Sequence, residues 1–193
     1  MKAMFIGCSS LTSINLSHFN TEKVIDMMSL FNGCSSLTSI DLSNFNTVNL
    51  ENINYMFRNC KLLKNINISH FYTKNIREMI YLFKDASSLV SVDLSNFNPE
   101  NISNIWGMFS GCNSLTSVNL SNLNTKNITN MNSMFVGCDN LNYIDISQFN
   151  ITDKKTDFFT NLTSNGTIKL SKIFYEEIKE LIPENWTKIF SDI

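Results

Sequence analysis

Cysteines are the side chains with the greatest capacity for chemistry here, and they recur at multiples of 26 residues. They are Cys8, Cys34, Cys60, Cys112 and Cys138. Ala86 takes the equivalent position in the remaining repeat, and alanine replaces a small packing residue but neither a metal ligand nor a disulfide partner. Zinc sites also need clustered pairs such as C-x2-C, which do not occur. We therefore expect buried free thiols that pack as small hydrophobic groups.

The two histidines are the next candidates for metal ligands. His18 and His70 occupy equivalent positions two repeats apart. In parallel strands stacked about 4.8 Å apart they would stand about 10 Å from each other, too far to share an ion at bonds of about 2 Å. We expect them to be polar loop residues, and we expect neither a metal nor a cofactor.

Acidic and amide side chains alternate at the central outward position of the predicted strands. This polar ribbon consists of Asn15, Asp41, Asn67, Asp93, Asn119 and Asp145. Alternation spaces the carboxylates by about 10 Å, close to a Debye length at moderate salt, which limits their repulsion. Two interpretations stay open: a solvated ladder with hydrogen bonds between repeats, or a ligand-facing surface, since extended rigid strands suit binding. The flanking residues of such a surface would be Ser39, Ser43, Ser91, Ser95, Ser117 and Tyr143.

Nothing in these patterns is typical of an active site. Carboxylates about 10 Å apart lie just beyond the separation used by inverting glycosidases, and no pocket is indicated that would raise the pKa of one of them. The sequence contains no glycine-rich phosphate loop and no recognisable nucleophile with its base. We expect a protein that is not an enzyme.

The element that positions all these side chains is a repeat of 26 residues. Its most regular column is aromatic: Phe5, Phe31, Phe57, Phe83, Phe109 and Phe135. A fixed period of this length indicates a stack of similar supersecondary units, each of which buries its apolar side against its neighbours. Six copies predict one elongated domain over residues 1–151.

Hydrophobic spacing changes within each repeat. From Val24 to Cys34 apolar residues recur every three or four positions, which predicts a helix, whereas Ile40 and Leu42 alternate as in a strand. Strands stack about 4.8 Å apart and packed helices need about 8–10 Å, so the solenoid should curve with its strands on the concave side. The predicted fold is an α/β leucine-rich repeat horseshoe with a parallel concave sheet and helices on the convex side. We expect the turn amides to share one repeated hydrogen-bonding slot: Asn46, Asn98 and Asn124.

The repeat motif Met-Phe-x-x-Cys-x-Ser-Leu-Thr-Ser-Ile-Asp-Leu-Ser-x-Phe-Asn-Thr resembles the BspA-like leucine-rich repeats, which also occur in mycoplasma lipoproteins as a domain of unknown function. The resemblance covers residues 4 to about 151 and implies bacterial cell-surface proteins that bind other proteins or mediate adhesion. It implies a non-enzymatic module whose concave face binds a host or bacterial surface protein, or a glycan. The alternative is a structural part of a longer repeat protein without a ligand of its own.

The pattern fails after Phe149, so residues 152–193 are expected to form a C-terminal cap. Asn165-Gly166 predicts a turn, 167–170 a last strand, and Ser171 an N-cap for a helix at about 172–182 that ends before Pro183. Its apolar face should contain Ile173, Phe174, Ile178, Leu181 and Ile182. We expect Trp186 and Phe190 to fold back onto this helix.

Charge and the N-terminal end bound the remaining possibilities. The net charge of −2 with interspersed signs predicts neither a nucleic-acid groove nor a membrane patch, and no apolar run approaches the length of a membrane span.

The repeat begins at the first residues of the sequence, so the strand at about 13–16 should be a bare edge. Three explanations stay open: part of a longer protein, a shortened gene, or an edge that makes end-to-end contact with a partner. No secretion signal is recognisable, which leaves a surface location, implied by the resemblance, beside a cytoplasmic one or a gene fragment.

Overall fold

The computed structural model describes residues 1–150, 157, 159–160, 162 and 164–191. Six strands lie in this part of the chain: β1 (Asn65–Asn67), β2 (Ser91–Asp93), β3 (Ser117–Asn119), β4 (Tyr143–Asp145), β5 (Gly166–Ser171) and β6 (Trp186–Ser191). One α-helix, α1 (Lys172–Ile178), continues into a 3-10 turn at Lys179–Leu181. The chain forms a parallel β-solenoid of about five turns.

Equivalent residues of successive repeats pair in two parallel sheets, one of β1 and β2 and one of β3 to β6. Ile66 lies opposite Val92 in β1 and β2, and Val118 lies opposite Ile144 in β3 and β4, in both cases with parallel strands. The pairing continues from β4 through β5 to β6, again in parallel. In β1, β2 and β3 the middle residue is buried, and the residues before and after it are exposed or partly exposed. The alternating pattern predicts this arrangement.

The phenylalanine column forms the centre of the core. Consecutive rings from Phe5 to Phe135 stack nearly face to face, with centroids 5.5 to 5.9 Å apart. Phe31, Phe57 and Phe83 have no exposed surface. The predicted continuous apolar interior is therefore confirmed, and each ring packs against the same residue of the repeat before and after it.

The predicted helices on the convex side are wrong. The segment from Val24 to Cys34 forms a run of turns in which Ser29 and Gly33 have left-handed backbone conformations, with φ of 57° and 80°. Alternate amides leave the turn for the next repeat: Met27 N–H donates to the Asn52 carbonyl at 2.9 Å. The amides between them bond within the turn, as Leu30 N–H does to the Met27 carbonyl at 3.1 Å. A helix would keep all of these donors to itself.

The hydrogen bonds between the turns of successive repeats also remove the basis for the predicted horseshoe curvature. Curvature was expected because packed helices need about 8–10 Å between neighbours. Here the turn side of each repeat bonds directly to the next one, so it stacks as closely as the strand side. Neither side is wide enough to force the strands onto a concave face.

At the turn slot expected for Asn46, Asn98 and Asn124, the threonines make the repeated bonds between neighbouring repeats. The hydroxyl groups of Thr47, Thr73 and Thr125 accept from backbone N–H groups of the following repeat at 2.7, 3.1 and 2.8 Å. All three side chains are buried, so these bonds satisfy amides that water cannot reach. The expected asparagine slot is local: Asn46 and Asn124 accept from the amide two residues further on, at 3.2 and 3.3 Å. The side chain of Asn98 makes no such bond.

The C-terminal cap largely follows the prediction. Strand β5 is formed, and the Ser171 hydroxyl accepts from Phe174 N–H at 3.1 Å as the N-cap of α1. Trp186 is buried, and the Phe190 ring contacts the edge of Tyr175 with centroids 5.3 Å apart. They belong to β6, a strand that was not predicted. Ile173 was assigned wrongly to the apolar face, because 71% of it is exposed.

Both ends of the repeat array test the remaining boundary predictions. The change from repeats to cap after residue 151 lies outside the described residues. No regular strand forms at 13–16. A long backbone bond runs beside this segment, from Thr38 N–H to the Thr12 carbonyl at 3.3 Å, and the Asn44 side chain donates to the Leu16 carbonyl at 3.0 Å. Met4 and Ile6 of the first repeat are half exposed.

Candidate functional site

The polar ribbon is built from turns that follow each strand. In every repeat an oxygen of the aspartate or asparagine accepts from the backbone N–H of the serine two residues on. Asp41 accepts from Ser43 at 2.9 Å, and Asn67 accepts from Ser69 at 3.2 Å. The same local turn works with either residue type because both supply a side-chain oxygen at the same place. Bonds between ribbon side chains of neighbouring repeats, which the first of the two interpretations included, are not formed among the described residues.

This arrangement leaves part of each ribbon side chain available. Asp41, Asn67, Asp93 and Asn119 are exposed. A carboxylate has about four acceptor positions, of which the serine uses only some, while the amide nitrogens of the two asparagines remain as donors. The ribbon therefore offers alternating acceptors and donors, one per repeat, on a hydrogen-bonded scaffold.

Local hydrogen bonds also fix the charge of the ribbon. The backbone N–H and hydroxyl of Ser43 lower the pKa of Asp41 below its usual value of 3.8. The hydroxyl and N–H of Ser95 lower the pKa of Asp93 in the same way. Both groups are carboxylates at neutral pH, because hydrogen bonds to the charged form favour it.

Asp145 does not belong to the exposed surface. It is buried with 5% exposure, and its carboxylate accepts from Ser147 N–H at 3.0 Å and from the Lys169 ammonium at 3.1 Å. The Asp145 carboxylate raises the pKa of Lys169. Strand β5 covers this end of the ribbon, so the sixth position joins the sheet to the cap and is not available to a ligand.

The flanking residues divide in the same way along the chain. Ser39, Ser43, Ser91 and Ser95 are exposed beside the ribbon. Ser117 and Tyr143 are only partly exposed, because they lie closer to the cap. The ribbon is thus exposed from Asn15 in the first repeat to Asn119 in the fifth, and its exposed flanking serines belong to the second and fourth repeats.

The cysteine column is structural. Four thiols are buried and free, and each donates to the carbonyl of a phenylalanine 29 residues earlier, as Cys60 does to Phe31 at 3.2 Å. Burial raises the pKa of Cys34 to about 11 and that of Cys138 to about 12, so both stay protonated and unreactive. The exception is Cys8, which is exposed because no described residue covers the first repeat on that side.

Both histidines lie in exposed turns, as expected of polar loop residues. His70 Nε2 lies 3.0 Å from the Leu42 carbonyl, and the ring packs edge-on against Phe71. Asn44 occupies the same column and donates to the Leu16 carbonyl at 3.0 Å. In the described residues no group of three potential ligands lies close enough together to hold a metal ion.

One surface feature was missed by the sequence reasoning. A cleft of about 600 Å³ lies beside the ribbon, where the turns of the third and fourth repeats meet. A signal was present: Tyr72 interrupts a column that is otherwise asparagine, and Pro99 interrupts the threonine column.

Comparison with known families agrees with the repeat. The family described as "Mycoplasma protein of unknown function, DUF285" matches residues 1–92 and again 88–164, which together span most of the chain. None of the curated proteins matches this chain. In the part of the chain that the structure describes, no helix has the length and apolar character to cross a membrane. From the tandem 26-residue repeat and these two family matches, the chain belongs to the DUF285 family of mycoplasma proteins.

Proposed function

We propose that this protein is a non-enzymatic binding module that engages a protein partner through the polar ribbon. The observation that carries the proposal is the exposed row Asp41, Asn67, Asp93 and Asn119, in which carboxylates and amides alternate at one residue per repeat. Such a row is a regular array of acceptors and donors, and regular arrays suit an extended ligand.

The rigidity of the ribbon supports this role. Each side chain is held by its own turn, and backbone hydrogen bonds join successive repeats. A surface that is ordered before binding loses little conformational entropy on association. Affinity can then come from a small number of well-placed polar contacts.

The charge pattern indicates the kind of partner. Asp41 and Asp93 stand two repeats apart, about 10 Å by the spacing of parallel strands. A partner with arginine or lysine side chains at a similar separation could pair with both carboxylates, and arginine could do so with two hydrogen bonds to each. We therefore propose a basic, extended segment of a host or bacterial surface protein as the ligand.

The finer resemblance to BspA-like leucine-rich repeats suggests adhesion at the cell surface. The support for this part of the proposal is the repeat motif with its Met-Phe-x-x-Cys core. Labelling intact cells of the source organism with a membrane-impermeant reagent tests it, because a surface protein is labelled before lysis and an internal one only afterwards.

A binding experiment tests the ribbon. Purified wild-type protein is measured against epithelial monolayers and immobilised matrix proteins, beside the double variant Asp41→Asn, Asp93→Asn. Asparagine preserves the turn, as Asn67 and Asn119 show, so folding should be retained while binding is lost. A matched control, Glu22→Gln with Glu51→Gln, removes the same charge from exposed positions outside the ribbon.

The alternative proposal is a structural part of a longer repeat protein that has no ligand of its own. It is favoured by the fact that one oxygen of each ribbon side chain already stabilises a turn. If wild-type protein bound none of these surfaces, this alternative would be preferred. Equal loss of binding in the control variant would show that overall charge, not the ribbon, carries the interaction.

A further inference from the structure

The cleft beside the polar ribbon has a composition unlike the rest of the turn surface. Its volume of about 600 Å³ is within the usual range for small-molecule sites. The side chains that matter to its chemistry are His70, Tyr72, Lys74, Asn96, Asn98 and Asn122. They come from consecutive repeats, so the repeat itself brings them together.

Tyr72 is the first departure from the repeat in this cleft. The equivalent position is asparagine in all the remaining repeats. Asn46 and Asn124 use that side chain to stabilise their turns. A tyrosine cannot make this bond from the same place. Tyr72 is 42% exposed and lines the cleft, so burial does not account for the substitution either.

Asn96 and Asn98 are the second departure. In the neighbouring repeats the residue equivalent to Asn96 reaches back to a carbonyl of the preceding repeat: Asn44, His70 and Asn122 all do so. Within the described chain, the side chains of Asn96 and Asn98 form no hydrogen bond, although both line the cleft. Two amides that elsewhere stabilise turns are therefore unengaged at one site.

Pro99 is the third departure, and it accounts for the loss of turn hydrogen bonds at this site. Threonine occupies this column in the first, second, third and fifth repeats. The hydroxyls of Thr47, Thr73 and Thr125 accept an amide of the next repeat, as Thr125 does from Asn150 at 2.8 Å. Proline has no hydroxyl, so this link is missing after the fourth repeat. The tight turn bond seen from Ile76 N–H to the Thr73 carbonyl at 3.0 Å has no counterpart there. Local rules are broken most often where a site is needed.

From these features we propose that the cleft binds an uncharged carbohydrate. Side-chain amides both donate and accept, which matches sugar hydroxyl groups, and an exposed aromatic ring provides a surface for the apolar face of a sugar ring. We expect an uncharged ligand, because the Lys74 ammonium in the cleft is already paired with the Glu100 carboxylate at 3.3 Å. Asn96 and Asn98 would bind hydroxyls, and Tyr72 would pack against the ring. The site does not depend on ribbon binding.

The experiment measures wild-type protein against an array of uncharged oligosaccharides of galactose, glucose, mannose and N-acetylglucosamine, with sialylated forms beside them. The uncharged sugar with the strongest signal is then titrated calorimetrically. Asn96→Ala and Asn98→Ala should each weaken binding about tenfold, the loss expected for one well-formed hydrogen bond. Neither should lower the urea midpoint of unfolding, since no bond within the protein is lost.

Matched controls come from the second repeat. Asn44→Ala and Asn46→Ala should lower the urea midpoint and leave sugar binding unchanged, because both side chains stabilise turns outside the cleft. Tyr72→Asn restores the residue of the repeat, so it should fold well and lose sugar binding. The ribbon variant Asp41→Asn, Asp93→Asn should bind sugar like wild type. Absence of binding across the array, binding of sialylated forms only, or unchanged binding in the Tyr72, Asn96 and Asn98 variants would overturn the proposal.

Discussion

The stacked phenylalanines allow a sharp test of how the solenoid is stabilised. Phe83 is fully buried and contacts a ring on each side, Phe57 and Phe109, with both centroids 5.6 Å away. Phe5 is only partly buried and stacks on one phenylalanine of the column, Phe31 at 5.5 Å. We compare Phe83→Ala with Phe5→Ala, because the two changes remove the same atoms.

The expected magnitudes differ because burial differs. Truncating a fully buried phenylalanine costs about 3–5 kcal/mol, which includes the cavity that remains. At Phe5 the smaller buried area and the open side, where solvent can fill the space, reduce the loss to about 1–2 kcal/mol. The larger loss reflects a repeat whose stability depends on both neighbours.

Equilibrium unfolding in urea, followed by far-UV circular dichroism, measures both variants. With a slope of about 2 kcal/mol per M, Phe83→Ala should lower the midpoint by about 2 M and Phe5→Ala by less than about 1 M. Phe83→Leu serves as the control that keeps most of the volume, with an expected loss below about 1.5 kcal/mol. Equal losses at Phe5 and Phe83, or a loss below about 1 kcal/mol at Phe83, would refute this account of the core.

Three further predictions concern single side chains. In native protein a thiol reagent such as DTNB should modify Cys8 alone, because burial protects the others and raises the pKa of Cys34 to about 11; a second fast-reacting thiol would contradict this. Ala86→Cys should be neutral or stabilising by up to about 1 kcal/mol, since the new thiol can donate to the Phe57 carbonyl; a clear loss in urea midpoint would argue against that geometry. Asp93 has a lowered pKa in the folded protein, so its contribution to stability is present above its unfolded pKa and is lost as the pH falls below about 4. Asp93→Asn should therefore leave stability at pH 7 nearly unchanged and flatten its decrease between pH 5 and pH 2.5; an unchanged acid profile would be inconsistent with the bonds from its serine.

The helix prediction failed for an identifiable physical reason. Met27, Leu30, Phe31 and Cys34 are all buried, so the apolar spacing was interpreted correctly as a buried face. Spacings of three and four residues suit a helix, but they also suit consecutive tight turns joined by left-handed residues. The choice depends on whether amide groups bond within the segment or to the next repeat. That partner is 25 residues away, and hydrophobic periodicity contains no information about it.

The candidate site was predicted in part for similar reasons. The ribbon followed from strand alternation, which has the same period in any sheet, and its central members are exposed as expected. The burial of Asp145 followed from β5 and from Lys169, which lie beyond the repeat. The cleft depends on which turn side chains lack partners, and only the three-dimensional positions of neighbouring repeats show this.

By itself, the sequence determined the repeat, the stacked phenylalanine core, the parallel pairing of the strands and the presence of a polar ribbon. These features depend on residue type at a fixed interval, and adjacent copies of one pattern bury their apolar residues best when they stack in register. Only the tertiary structure decided that the segments between strands are turns, that the side expected to be wide is narrow, and that the ribbon ends before Asp145. Those outcomes depend on where each backbone amide finds its acceptor and on what covers each end of the stack, and both are set by contacts between residues distant in the chain.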